Sequence, residues 1–324
     1  MGQLALTCLL GTASIPILLV GYVIGAETLL RALPQRQRSS IRSWLWLAPA
    51  LLLLSVFLIY PIARTLYLSV LDAQSVRFVG LQNYRFAASN PAMQSAIRNN
   101  ITWLVIFTSL TVGIGLAMAV LTDRVRYEST ARIVMFMPMA ISFVAASVIW
   151  KFVYAFRPAG DPQIGILNAL LAHLVSDYHP IAWLVVSPLN NLALIAIGVW
   201  VWAGFCMVIL SASLKGISAG LREAARIDGA SEWEVFQHIT IPILIPTIIV
   251  VASTMVIFAL KAFDIVYVMT NGNYDTDVIA NRMYKEMFTF RDFGHASAIA
   301  VILFAATLPV IVANIRRWSS GEAR

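Results

Sequence analysis

Lysine is scarce in this chain. Lys151, Lys215, Lys261 and Lys285 are its only four, and they precede Phe152, Gly216, Ala262 and Glu286. A phosphate-binding loop needs glycines leading to a lysine that is followed by serine or threonine. None of the four lysines fits, so the chain has no nucleotide-hydrolysing loop of this kind. Histidine is equally sparse: His173, His179, His238 and His295 stand apart, with no His-Glu-x-x-His pair. Cys8 and Cys206 are the two cysteines. Two thiols cannot build a four-thiolate cluster or a disulfide framework. Both lie in apolar stretches and read as small core residues. No catalytic residue, metal site or cofactor is expected.

Charge is scarce too. Asp, Glu, Lys and Arg make up 12% of the 324 residues, and hydrophobic residues 60%. Soluble domains average about 25% charged and 45–50% apolar. A soluble protein with a mean hydropathy of +0.80 could not cover its own surface. The expected class is therefore an all-α polytopic membrane protein, because a bilayer admits only helices and closed barrels. No ten-residue in-and-out alternation of the barrel type is present. Seven apolar runs stand out: Leu4–Leu30, Trp44–Leu71, Ile101–Thr122, Ala131–Phe156, Leu192–Leu214, Ile245–Met269 and His295–Asn314. Each is long enough to cross about 30 Å of hydrocarbon at 1.5 Å per residue. The first lacks a basic leader and a small-x-small cleavage site, so it reads as a retained span rather than a signal peptide.

Arginine in the loops gives the sides. Arg31, Arg36, Arg38, Arg42, Arg124, Arg126, Arg132, Lys215, Arg222, Arg226, Arg316, Arg317 and Arg324 fall on one side, thirteen against eight on the other. The richer side is expected to be cytoplasmic. With seven spans this puts the N-terminus outside the cell and the C-terminus inside. The same bias accounts for the net charge of +7, so no nucleic-acid partner is expected; lipid is the solvent.

The longest cytoplasmic connection, Lys215–Leu244, reads as two short helices. Ser218 is placed to cap the first, and Gly229 to close it as a left-handed residue. Ser231 and Glu234 form a capping box for the second. Pro242 is expected to stop that helix and Pro246 to start the next span.

Within this connection, Glu223-Ala224-Ala225, three residues, Gly229, nine residues, then Ile239-Thr240-Ile241-Pro242 resembles the EAA loop of importer permeases in the ATP-binding-cassette superfamily. Ile241 replaces that family's leucine. Val79-Gly80-Leu81-Gln82-Asn83-Tyr84, Asn99-Asn100-Ile101 and Phe263 to Gly272 resemble stretches of maltose-type sugar permeases. Asp275-Thr276-Asp277-Val278-Ile279 and Asn314-Ile315-Arg316-Arg317 are similar to the alpha-glucoside, trehalose and glucosylglycerol branch.

The resemblance implies a six-helix permease core over residues 44–324, preceded by an extra helix and basic loop over 1–43. It also implies a non-catalytic subunit in the inner membrane. The partners would be a dimer of ATPases, a second permease and an extracytoplasmic sugar-binding protein. Glu223, Ala224, Ala225, Asp228, Gly229 and Pro242 would then belong to the ATPase-coupling loop. An ion-gradient-driven secondary transporter is the alternative reading.

Ionisable residues within spans are functional candidates. Arg64, Lys261 and Asp264 qualify. Lys261 and Asp264, three apart, either pair on one helix face or leave Asp264 free to bind a sugar. Asp264, Tyr267 and Asn271 offer the acid, aromatic and amide groups of a sugar path. Trp150, Trp200 and Trp202 also offer rings on which a sugar could stack, but the interfacial-belt reading is favoured.

Overall fold

The computed structural model describes residues 20–31, 34–123 and 125–321. They fall into two compact units, divided between Arg64 and Thr65. The division lies beyond the boundary expected at residue 43, which falls inside a continuous helix, Gln35–Leu54. Most of the first expected span, including Cys8, lies outside the described residues.

In the first unit, residues 20–31 form a helix that runs antiparallel to the start of α1 (Ile41–Leu68). The Tyr22 hydroxyl donates to the Leu45 carbonyl, Arg38 donates to the Arg31 carbonyl, and Arg42 pairs with Glu27 at 2.7 Å. Trp44, Leu52, Phe57 and Tyr60 on α1 are exposed, as befits a helix solvated by lipid. Arg64 lies on α1 and is exposed.

The second unit is built from α2 (Pro91–Thr122), α3 (Glu128–Ala140), α4 (Phe143–Val153), α5 (Leu189–Lys215), α6 (Ala219–Ile227), α7 (Glu232–Leu260) and α8 (Phe293–Arg316). Asn90 starts α2: its side-chain oxygen accepts from the Ala92 and Met93 N–H groups at 2.9 and 3.2 Å, with Pro91 at the first helical position. At the centre stands α5, with Leu194, Ile197, Val201, Cys206 and Leu210 buried. A Cβ at Gly115 of α2 would sit 2.5 Å from the Cβ of Cys206 on α5. Only glycine permits this approach, which is how small residues bring helices together in lipid. Among the described residues the only β-type pairing is one isolated bridge, Leu71 with Phe78.

Two expected spans are broken. Ala131–Phe156 is not one straight helix: α3 and α4 meet at 100°. Pro138 tightens the end of α3, Ile141 is extended, and Ser142 caps α4 by accepting from the Ala145 N–H at 3.2 Å. Ile245–Met269 stops at Leu260 and resumes as a short helix, Asp264–Met269. Conversely, Pro242 does not stop a helix. α7 runs unbroken from Glu232 because the turn Phe236–Thr240 is widened, so that the Ile241 N–H reaches the Phe236 carbonyl. That extra residue absorbs the missing proline N–H and its clash with the preceding turn.

Buried amides pin the end of the unit that carries the 270–278 loop. Asn100 donates to the Ala259 carbonyl at 3.1 Å and accepts from the Ile279 N–H at 2.7 Å. Asn99 donates to the carbonyls of Asp275 and Asp277, both at 2.8 Å. Asn83 holds the turn after α1 through the Ser69 and Leu71 carbonyls. Glu286 is buried between Arg282 and His295. Burial pushes its carboxyl up, but the hydrogen bond from His295 and the Arg282 charge outweigh this and hold it below the ordinary range.

Candidate functional site

Two places in the second unit are candidate sites. The first is the elbow made by α6 and the start of α7. Ser218 precedes α6 but its side chain makes no capping bond, contrary to the expected role. The letters Gly216-Ile217-Ser218-Ala219-Gly220 spell a Gly-x-Ser-x-Gly pattern. Here they join two helices, whereas a nucleophile elbow joins a strand to a helix.

The C-terminus of α6 is closed as expected. Gly229 has φ +88°, its N–H reaches the Arg226 carbonyl at 3.1 Å, and the Ala230 N–H reaches the Ala225 carbonyl at 3.0 Å. This is a complete Schellman closure. The Ser231–Glu234 capping box also forms, with both reciprocal bonds present. The turn from α6 into α7 is thus fixed from both sides.

Side chains brace the same turn. Arg226 pairs with Glu232 at 2.6 Å, and Arg222 lies 3.8 Å from Asp123 at the end of α2. The Glu232 carboxylate raises the pKa of the Arg226 guanidinium further. Outward, the elbow presents Glu223, Ala224, Asp228 and Gly229, all exposed, with Ala225 half-buried. Leu221, Ile227 and Trp233 are also exposed, Ile227 at 85%. Pro242 lies further along α7 and is exposed. A rigid, braced knuckle with apolar tips is suited to seat in a cleft of another protein.

The second place is a cavity of about 290 Å³ at the break after α7. Trp103 and Phe107 of α2, Phe143 of α4, Gly198 and Trp202 of α5, and residues 257, 258 and 261–265 around the break form its walls. The Trp202 and Phe258 rings lie 3.9 Å apart. Trp202 is therefore an inner wall, not part of an interfacial belt; Trp150 and Trp200 pack edge-to-face at 5.8 Å against the same core.

Asp264 and Lys261 both line the cavity. They do not share one helix, because Lys261 ends α7 and Asp264 begins the next piece. Among the described residues no ion pair joins them. Tyr267 and Asn271 are not among the cavity's lining residues. Tyr267 stacks on Phe263 at 5.2 Å. Asn271 has φ +51° and its N–H caps the short helix through the Val266 carbonyl at 2.9 Å, so its visible role is in the turn. Of the cavity's aromatic walls, Trp103, Phe107, Phe143 and Phe258 were missed in the sequence. Trp103/Phe107 and Gly198/Trp202 have helical i,i+4 spacing, but spacing does not say which helices meet.

Residues 91–321, which hold both places, match the family model of the binding-protein-dependent transport system inner membrane component. The chain belongs to that family. It is 56% identical over 278 residues to the osmoprotective compounds uptake permease protein GgtC of Synechocystis sp., covering 86% of this chain and 99% of that one. It is 45% identical over 282 residues to the alpha-glucoside transport system permease protein AglF of Rhizobium meliloti, covering 87% and 83%. A bacterial ABC transporter that imports the acidic polysaccharide alginate has a chain of the same fold, with a TM-score of 0.73 at 22% identity over 87% of this chain and 98% of that one. The expected all-α, polytopic, inner-membrane class therefore holds, and the chain is a transport component of a binding-protein-dependent system.

Proposed function

We propose that this chain is the permease half of an ATP-driven sugar importer. An extracytoplasmic binding protein delivers the sugar, a second homologous permease completes the pathway, and a dimer of ATPases docks from the cytoplasm. The Glu223–Gly229 elbow lies on the cytoplasmic side with the C-terminus, and the N-terminus lies outside. The permease core is residues 44–324, and residues 1–43 are an accessory segment before it. The substrate is an alpha-glucoside, another disaccharide or glucosylglycerol; the kinship with AglF and GgtC supports this class.

One observation carries the reading: the elbow is held rigid at its turn yet exposed at its tip. The Schellman closure and the capping box fix the direction in which that exposed tip points. When the ATPases close, the elbow moves as a body. α7 carries that motion from Glu232 to the break at residues 261–263, where Asp264 lines the cavity. Alternating access then follows from two packed arrangements of these helices.

The test is reconstitution with the ATPases, the second permease and the binding protein, measuring sugar uptake with ATP or with an ion gradient. Uptake that requires ATP and all partners supports the proposal. Uptake by this chain alone, driven by an ion gradient, replaces it with a secondary transporter.

A further inference from the structure

Phe263, Tyr267, Tyr284 and Phe288 form one unbroken run of rings. Phe263 stacks on Tyr267 at 5.2 Å between centroids, Tyr284 meets Phe263 and Tyr267 at 5.4 and 5.1 Å, and Phe288 lies 4.7 Å from Tyr284. Two i,i+4 pairs make the run, one before the 270–278 loop and one after it. Phe263 is the N-cap of the short helix that carries Tyr267, Tyr284 and Phe288 lie on one continuous helical stretch, and the loop brings the two pairs together. The inner end is fixed, because Phe263 is itself a wall of the cavity. The outer end is open, because Phe288 is 62% exposed and Tyr267 38%.

Two ordinary explanations fit poorly. Core aromatics are buried, and these are exposed in part. Interfacial anchors sit at headgroup level around a membrane protein; they have no reason to touch one another in sequence or to end in a cavity. What the run does offer is ring faces flanked by two tyrosine hydroxyls, with Asp264 and Lys261 at its inner end. This combination suits a pyranose: the C–H faces of the sugar lie on aromatic rings while its hydroxyls bond to the polar flank. A row of such sites, each weak, lets a solute enter and leave quickly.

The geometry points to an aromatic track, in which Phe288, Tyr284, Tyr267 and Phe263 receive the pyranose rings of the incoming sugar at the outer surface and pass them to the cavity. The track rests on the sugar-importer reading above. It adds Phe263, Tyr284 and Phe288 to Tyr267 and names ring stacking as the interaction.

The experiment uses the assembled transporter with its binding protein in proteoliposomes and measures uptake of labelled sucrose, trehalose and glucosylglycerol. Tyr267→Ala and Phe288→Ala should lower uptake at sub-saturating sugar by roughly three- to tenfold, the scale of one lost ring contact. The yield of assembled complex should be unchanged. Phe288→Tyr should restore uptake and Phe288→Leu should not. If leucine restores uptake as well as tyrosine, the surface is merely apolar and the track is overturned. Unchanged uptake in both alanine variants overturns it too, with the importer reading intact. If the unsubstituted transporter takes up none of the three sugars, the importer reading falls and the track falls with it.

Discussion

Replacing Gly229 perturbs one backbone angle and little else. A Cβ built there meets nothing within 4 Å, so no clash contributes. The cost lies in φ +88°, where an L-residue loses about 1–2 kcal/mol, and a β-branched one more. Relieving that strain means rotating out of the left-handed region. The rotation breaks the bonds from Gly229 N–H to Arg226 and from Ala230 N–H to Ala225, each worth about 0.5–1.5 kcal/mol net. The exposed Arg226–Glu232 pair can return only a fraction of this. Gly229→Val should therefore loosen the turn between α6 and α7 while membrane insertion stays normal, since the turn lies outside the spans. The assay is the amount of chain in the membrane, then co-purification of the ATPase, then ATP hydrolysis with and without loaded binding protein. We expect normal insertion with weakened association, or retained association with lost stimulation. Full association and full stimulation would refute the claim that the elbow's rigidity matters. Glu223→Arg, on the exposed side of α6, should give the same separation of insertion from coupling.

Four further outcomes follow from the packing and the charges. Gly115→Leu should reduce the folded yield sharply, because its Cβ would already crowd Cys206; a normal yield by size-exclusion chromatography in detergent would show that α2 and α5 can part. Asn100→Ala leaves the buried Ile279 N–H without its acceptor and takes one donor from the Ala259 carbonyl, which keeps the Ala262 N–H; it should cost about 1–3 kcal/mol, seen as a lowered thermal unfolding midpoint. Glu286 has a folded pKa below its ordinary 4.5, so its stabilisation is present above that value and is lost as pH falls through the folded pKa; Glu286→Gln should flatten the acid limb of the stability profile, and an unchanged limb would contradict the assignment. Asp264→Asn should slow transport more than it lowers complex yield, and normal uptake would remove Asp264 from the path.

The elbow was legible in the sequence because its determinants are local. Gly229, Ser231 and Glu234 act on residues three or four positions away, and the structure places their bonds as expected. Pro242 misled for a related reason. A proline ends a helix only when the preceding turn keeps normal pitch, and here residues 236–240 widen it. The 100° bend after Pro138 and the break after Leu260 are invisible to hydropathy, since both lie inside apolar runs. The cavity is harder still. Its walls come from α2, α4, α5 and α7, and nothing in one sequence says that Trp103 and Trp202 face the same space. Asn99 and Asn100 were noticed as a pattern, but their work is long-range: they tie α2 to segments more than 150 positions away.

The central claim is that this chain moves sugar only when ATPases act on its elbow. The most direct measurement is sugar uptake into proteoliposomes holding the complete transporter, comparing the unsubstituted chain with Gly229→Val under saturating ATP and loaded binding protein. The account predicts ATP-dependent uptake by the first, and uptake reduced at least several-fold in the second at equal incorporation. Equal uptake by both, or uptake that continues without ATP, would contradict it.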